Sequence, residues 1–214
     1  MFEQDLVNQI IGMIKQEMDS NEKKEIPVGI SNRHIHLSQE DLEILFGKGY
    51  ELTELKPLKQ PGQYAAKETV CVAGPKGSFE KVRILGPVRK ESQLEISKTD
   101  SFTLGVKAPI RDSGNLVESG DICVIGPKGS VVLKSKVIAA KRHIHMSPAD
   151  AAYYNVADKQ IVNVIVSGER KTILGEVLVR VNPNFDLEMH VDTDEANATG
   201  LTNKSTVQIS DISF

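Results

Sequence analysis

Five histidines carry most of the chemical information in this 214-residue chain, and four of them belong to one motif written twice. Arg33-His34-Ile35-His36-Leu37-Ser38 returns as Arg142-His143-Ile144-His145-Met146-Ser147, and the fifth histidine lies in Leu187-Glu188-Met189-His190. On an extended chain a His-x-His places both imidazoles on one face, because strand side chains alternate with a period of two. Two imidazoles on one face provide two legs of a tetrahedral metal site. A single His-x-His reads as a polar pair beside a turn; the duplication moves the reading to metal. Each pair needs a third ligand to make an open, catalytic type of site. Glu95, in Gln93-Leu94-Glu95-Ile96-Ser97, and His190 are the candidates. Matching the two Leu-Glu segments sets Glu95 against Glu188 and His190 against Ser97, an offset of two that keeps both candidates on one strand face. The expected sets are His34, His36 and Glu95 in one half, and His143, His145 and His190 in the other. Imidazole with carboxylate suits zinc, with iron, cobalt or manganese left open.

Two further segments could serve an anion. Gly86-Pro87-Val88-Arg89 enters the Glu95 segment, and an arginine fork grips phosphate or carboxylate bidentately. Asp112-Ser113-Gly114 is a turn that can present a hydroxyl and backbone N–H groups. Each also has an ordinary reading, as a surface arginine and a turn serine.

The elements that must position these residues are mostly strands. From Ile26 onward, runs rich in Val and Ile fall at 26–31, 68–73, 79–85, 93–97, 121–126, 130–139, 161–166, 171–181, 187–192 and 205–210, separated by Gly-Pro, Pro-Gly and Asn-Pro turns. Ser38 with Asp41, and Ser147-Pro148 with Asp150, read as N-caps of short helices directly after each His-x-His. The duplication extends outward, and a second pair, Cys71-Val-Ala-Gly-Pro-Lys-Gly-Ser78 and Cys123-Val-Ile-Gly-Pro-Lys-Gly-Ser130, is out of step with it. The expected fold is therefore mainly β with short helices: two pseudo-repeat β-barrel domains packed around a shared dimetal site. The expected halves are 26–120 and 121–214, with strands exchanged between them as an open alternative. Residues 1–20 read as an amphipathic helix, with Phe2, Leu6, Ile10, Ile14 and Met18 on one stripe.

Composition limits the function class. A net charge of −3 argues against bulk electrostatic binding to nucleic acid. No apolar run reaches the length of a membrane span, and no export leader opens the chain, so a cytoplasmic protein is expected. Cys71 and Cys123 read as reduced, buried strand residues.

Several motifs, in order from about Ile26 to Leu201, resemble the phosphotransacylase of propanediol utilisation, the phosphate propanoyltransferase family. They are Ser31-Asn32-Arg33-His34-Ile35-His36-Leu37-Ser38, Gln60-Pro61-Gly62-Gln63-Tyr64-Ala65-Ala66, Arg83-Ile84-Leu85-Gly86-Pro87-Val88-Arg89, Gln93-Leu94-Glu95-Ile96-Ser97, the second Arg-His-Ile-His, and 187–197. The resemblance implies a dizinc enzyme of two β-barrel domains that interconverts acyl-CoA plus phosphate with acyl phosphate plus CoA. The acyl group would be propanoyl or acetyl. One zinc would sit on His34, His36 and Glu95, with the CoA sulfur as a fourth ligand. The other would sit on His143, His145 and His190. Arg89 is implied as the phosphate-gripping arginine and Ser113 as an active-site hydroxyl. Coenzyme A contacts are implied for Ser31, Lys56, Arg83, Leu85 and Asn197. Members that work inside bacterial microcompartments carry an amphipathic helix like that of residues 1–20, which implies shell or cargo proteins as partners and a location in the cytoplasm or within a microcompartment. A homo-oligomer fits this reading, whereas nucleic acid and membrane do not enter it. Two rivals remain: a dinuclear zinc hydrolase acting on a thioester or phosphoester, and a non-catalytic metal-binding module of shell assembly.

Overall fold

The computed structural model describes residues 25–210, so the expected helix over 1–20 lies outside the described residues. Fourteen strands are described: β1 (Ile26–Ser31), β2 (His34–His36), β3 (Glu54–Pro57), β4 (Tyr64–Ala73), β5 (Ser78–Gly86), β6 (Gln93–Glu95), β7 (Ile110–Arg111), β8 (Gly120–Ile125), β9 (Ser130–Ala140), β10 (His143–Met146), β11 (Ile161–Val166), β12 (Thr172–Val181), β13 (Glu188–Asp192) and β14 (Thr206–Ile209). Four short helices interrupt them: α1 (Gln39–Phe46), α2 (Lys98–Leu104), α3 (Pro148–Tyr153) and α4 (Thr193–Thr199).

The strands close two six-stranded barrels. In the first, β4, β5, β2, β6, β9 and β8 form a ring, with β3 and β7 on its margins. In the second the order is β1, β13, β10, β12, β11, β14. A division at 120/121 does not separate them, because β8 and β9 close the first barrel while β1 belongs to the second. Burial explains where β1 goes. Ile26 and Val28 alternate inward and are lost to solvent in the second core, beside Ile144, Met189 and Val207. The first core is built on Ile35, Ile84, Leu94, Val124 and Val137.

The out-of-step Gly-Pro-Lys-Gly pair is a duplication inside the first barrel. Its two turns join β4 to β5 and β8 to β9, and β4 pairs with β8. Each turn caps a helix: Lys76 N–H donates to the Leu104 carbonyl at the end of α2, and Lys128 N–H to the Leu45 carbonyl of α1. These are carbonyls that a helix end leaves without an internal partner. Cys71 and Cys123 are free thiols, half-buried rather than buried, since they lie on the outward-facing positions of β4 and β8.

Each barrel thus contains the same unit twice: a short strand bearing a site residue, an N-cap, and a helix. The caps are Ser38, Ser97, Ser147 and Asp192, whose side chains accept from Asp41, Asp100, Asp150 and Glu195 N–H respectively. The helices α2 and α4 both end on glycines in the left-handed region, Gly105 and Gly200, where a side chain would strain the backbone. Among the described residues no helix is long and apolar enough to cross a membrane.

Candidate active site

The central antiparallel pair of each barrel fixes the candidate ligands. In the first, His34 lies across from Glu95 and His36 across from Gln93. In the second, His143 lies across from His190 and His145 across from Glu188. Glu95 is therefore equivalent to His190, and Gln93 to Glu188. This corrects the offset of two expected from matching the Leu-Glu segments. Ser97 and Asp192 cap equivalent helices, and counting back two residues from each cap reaches Glu95 and His190.

His34, His36 and Glu95 form one compact group and His143, His145 and His190 another, with the potential ligand atoms of each within 4.8 Å of one another. Both groups line one cavity of about 570 Å³. His34 Nδ1 and His143 Nδ1 lie 2.8 Å from the carbonyls of Asn32 and Lys141. Donation to those carbonyls fixes each tautomer and leaves Nε2 as a lone-pair donor. His36 Nδ1, His145 Nδ1 and His190 Nε2 are buried with no hydrogen-bond partner. Burial, then His34 and Arg89, lowers His36 to about 3; burial, then His143, His190 and Arg180, lowers His145 to about 2; burial and then His190 lower His143 to about 4. These rings are neutral at physiological pH, the form that ligates. Burial would raise the Glu95 carboxyl, but His34, His36 and the Ser113 hydroxyl outweigh it and hold Glu95 at about 2. Buried, unpartnered nitrogens beside a carboxylate fit a cation, and the donor set fits zinc.

The orientation of Glu95 is set by two residues. Its Oε1 accepts from Ser113 Oγ at 2.9 Å and from Gln93 Nε2, while Oε2 lies 3.5 Å from His34 Nε2. Gln93 is held in turn, with Oε1 accepting from Gly114 N–H at 2.7 Å and Nε2 donating to Ser113 Oγ at 2.9 Å. Ser113 also accepts from Arg89 Nη1 at 3.3 Å. The two anion candidates thus meet, with Ser113 linking Arg89 to Glu95. Neither Gln93 nor Arg180, which enters the cavity from β12, carried a role in the sequence reading.

On the opposite wall, Glu188 Oε2 lies 3.1 Å from His190 Nε2 without hydrogen-bond geometry. Gly29 makes room for it, since a Cβ there would stand 2.9 Å from the Glu188 carboxyl carbon. Gln60 bridges the barrels, donating to the Asp186 carbonyl at 3.1 Å.

Of the residues expected at coenzyme A, Ser31, Lys56, Arg83 and Leu85 line the cavity and Asn197 does not. Arg83 donates to the Ala66 and Lys67 carbonyls, which holds it against β4. Arg33, which lines the cavity, and Arg142 each hold an ion pair. Arg33 pairs with Asp100 at 2.7 Å and Arg142 with Glu195 at 2.9 Å, and each ties a His-x-His strand to the helix after the third ligand.

Two linked β-barrels with a histidine-rich triad in each define a candidate metalloenzyme. Residues 27–202 match the family model described as phosphate propanoyltransferase. A phosphate propanoyltransferase of Thermotoga maritima is 63% identical over 185 residues, covering 86% of this chain and 88% of its own. Those of Rhodobacter capsulatus and Salmonella typhimurium are 49% and 50% identical, covering 98% and 89% of this chain and 99% and 90% of theirs. The chain belongs to the phosphate propanoyltransferase family, and so to the phosphate acyltransferases.

Proposed function

We propose that this enzyme interconverts propanoyl-CoA or acetyl-CoA plus phosphate with the acyl phosphate plus CoA, by direct attack of phosphate at a centre built to hold two zinc ions. The observation that carries the metal reading is the set of three buried ring nitrogens without partners, spread over two triads that line one cavity. His34, His36 and Glu95 would hold one ion, and His143, His145 and His190 the other. Bound zinc would supply Lewis acidity, lowering the pKa of a thiol and stabilising negative charge on oxygen.

The chain's own residues account for the rest. In the forward direction a phosphate oxygen bonds to the thioester carbonyl carbon, the C–S bond breaks, and CoA leaves as thiolate. Arg89, half-buried beside the first triad, offers a fork for phosphate and offsets its charge as it nears the acyl carbon. Ser113 and Gln93 hold the Glu95 carboxylate in one orientation. Ser31, Lys56, Arg83 and Leu85, which line the cavity, would contact coenzyme A, and Asn197 would meet a part of that ligand beyond it. Neither cysteine lines the cavity, which favours direct transfer over an acyl-enzyme on cysteine. Phosphate-dependent consumption of acyl-CoA with formation of acyl phosphate tests this reading; phosphate-independent release of CoA would point to the hydrolase instead.

We further propose that residues 1–20 dock the enzyme to microcompartment shell or cargo proteins. The support is the apolar stripe of Phe2, Leu6, Ile10, Ile14 and Met18 in the sequence.

A further inference from the structure

Arginine in this chain usually has a partner. Arg33 and Arg142 are ion-paired, Arg83, Arg111 and Arg170 donate to backbone carbonyls, and Arg89 donates to Ser113. Arg180 is the exception: among the described residues its guanidinium has no hydrogen bond and no ion pair. It is half-buried on β12, directly across from His145, and it lines the cavity. Its contact is with the Phe185 ring, 5.8 Å from the guanidinium carbon, and Phe185 packs on His145 at 4.2 Å. An arginine with five donors and no acceptor, half out of water, costs stability unless a ligand supplies the acceptors.

The fold does not demand a charge at this position. In the first barrel β2 pairs with β5 in parallel, as β10 pairs with β12, and continuing the register past Ile35↔Ile84 brings Leu85 to the place of Arg180. A leucine serves in one barrel and an unpartnered arginine in the other. Burial lowers the Arg89 pKa most, Glu95 opposes that, and the Arg180 charge adds a smaller push downward. Two like charges converge on one cavity from different barrels. The nearby carboxylate of Glu188 is occupied by Lys59 at 3.8 Å and by Gln60 Nε2 at 3.5 Å, and Glu95 by Ser113, Gln93 and His34. The cavity thus has a surplus of positive charge between Arg89 and Arg180 that only a multiply charged ligand would balance.

We infer that Arg180 is a second phosphate-binding residue, so that inorganic phosphate, or the phosphoryl end of an acyl phosphate, is gripped by Arg89 from the first barrel and Arg180 from the second. This rests on the phosphotransacylase reading above and adds to it that the anion site is completed only across the barrel interface. The pyrophosphate of coenzyme A offers the same oxygen chemistry, and the experiment separates the two.

The test uses the full chain with its metal content quantified, as wild type, Arg180→Gln and Arg180→Lys. Steady-state rates are measured with phosphate and acyl-CoA varied in turn, and phosphate binding is measured by calorimetry. Losing charge-assisted bonds to an anion should raise the KM for phosphate about tenfold or more in Arg180→Gln and weaken calorimetric phosphate binding in step, with the KM for acyl-CoA changed less than about twofold. Arg180→Lys, which keeps the charge and loses the fork, should fall between. An unchanged KM for phosphate in both variants overturns the inference, and so does a rise confined to the KM for acyl-CoA, which would place Arg180 on the cofactor's pyrophosphate. If Arg180→Gln does not fold, Arg180→Lys decides by the same criteria. If wild type shows no phosphate-dependent transfer, the activity reading fails on its own, and calorimetry alone decides whether Arg180 binds phosphate.

Discussion

Glu95 and His190 hold the same place in their two barrels, each lying directly across an antiparallel strand pair from the first histidine of its motif. One scaffold therefore presents two ligand sets that differ at a single equivalent position, a carboxylate in one and an imidazole in the other. The carboxylate brings a negative charge to its triad, which the imidazole does not bring to the other. Removing Glu95 should disable one site and spare the other. Glu95→Ala is expected to lower bound zinc from about two to about one per chain and to abolish acyl transfer. Metal analysis and the transfer assay on the same sample check this, and full activity with half the metal would refute a role for Glu95.

Gln93 touches no candidate metal position, yet its amide oxygen is fixed by Gly114 N–H and its Nε2 donates to both Glu95 and Ser113. A Gln93→Ala chain should keep its fold and lose roughly 10–100-fold in zinc affinity at the first site or in activity, the usual cost of losing a group that orients a ligand. Competition with a chromophoric chelator reads the affinity directly. Unchanged affinity together with unchanged turnover would remove Gln93 from the account.

The two His-x-His pairs were legible in the sequence because period-two alternation is local, and His-x-His shows it within three residues. Glu95 and His190 were legible from echoing segments, but their register was not. Leu94-Glu95 and Leu187-Glu188 look alike, and only the helix caps Ser97 and Asp192 reveal that Glu95 belongs with His190. Gln93 and Arg180 had no local signal, since Gln93 meets Ser113 and Gly114 only through the fold and Arg180 reaches the cavity from β12 beside His145. β3 escaped notice for a different reason: Glu54-Leu55-Lys56-Pro57 is exposed throughout and so has no alternation to read. The place of β1 depended on which core would take Ile26 and Val28, a choice made by tertiary packing.

The ion pairs Arg33–Asp100 and Arg142–Glu195 predict a stability effect separate from chemistry. Asp100 is only 6% exposed in its side chain, so Arg33→Met strands a buried carboxylate. The expected cost is about 2 kcal/mol, below the cost for fully buried pairs because a third of the Arg33 side chain, 33%, is exposed. That corresponds to a fall of roughly 4–8 °C in Tm for a chain of this size. Arg33→Met with Asp100→Asn should recover part of the loss, because the stranded charge is gone. Equal Tm values for wild type and Arg33→Met would show that the pair contributes nothing.

Removing residues 1–20 separates docking from catalysis. The truncated chain should turn over acyl-CoA at the rate of the full chain and should no longer co-sediment with microcompartment shells. Undiminished co-sedimentation would eliminate the docking role of this segment.

In the proposed function, two unlike triads facing one cavity serve acyl exchange between sulfur and phosphate. It is tested most directly by following propanoyl-CoA and acetyl-CoA on zinc-quantified protein with and without phosphate. CoA release that requires phosphate, yields an equal amount of acyl phosphate and stops when zinc is chelated is the predicted result. CoA release that proceeds without phosphate, with free acid as the product, would contradict it.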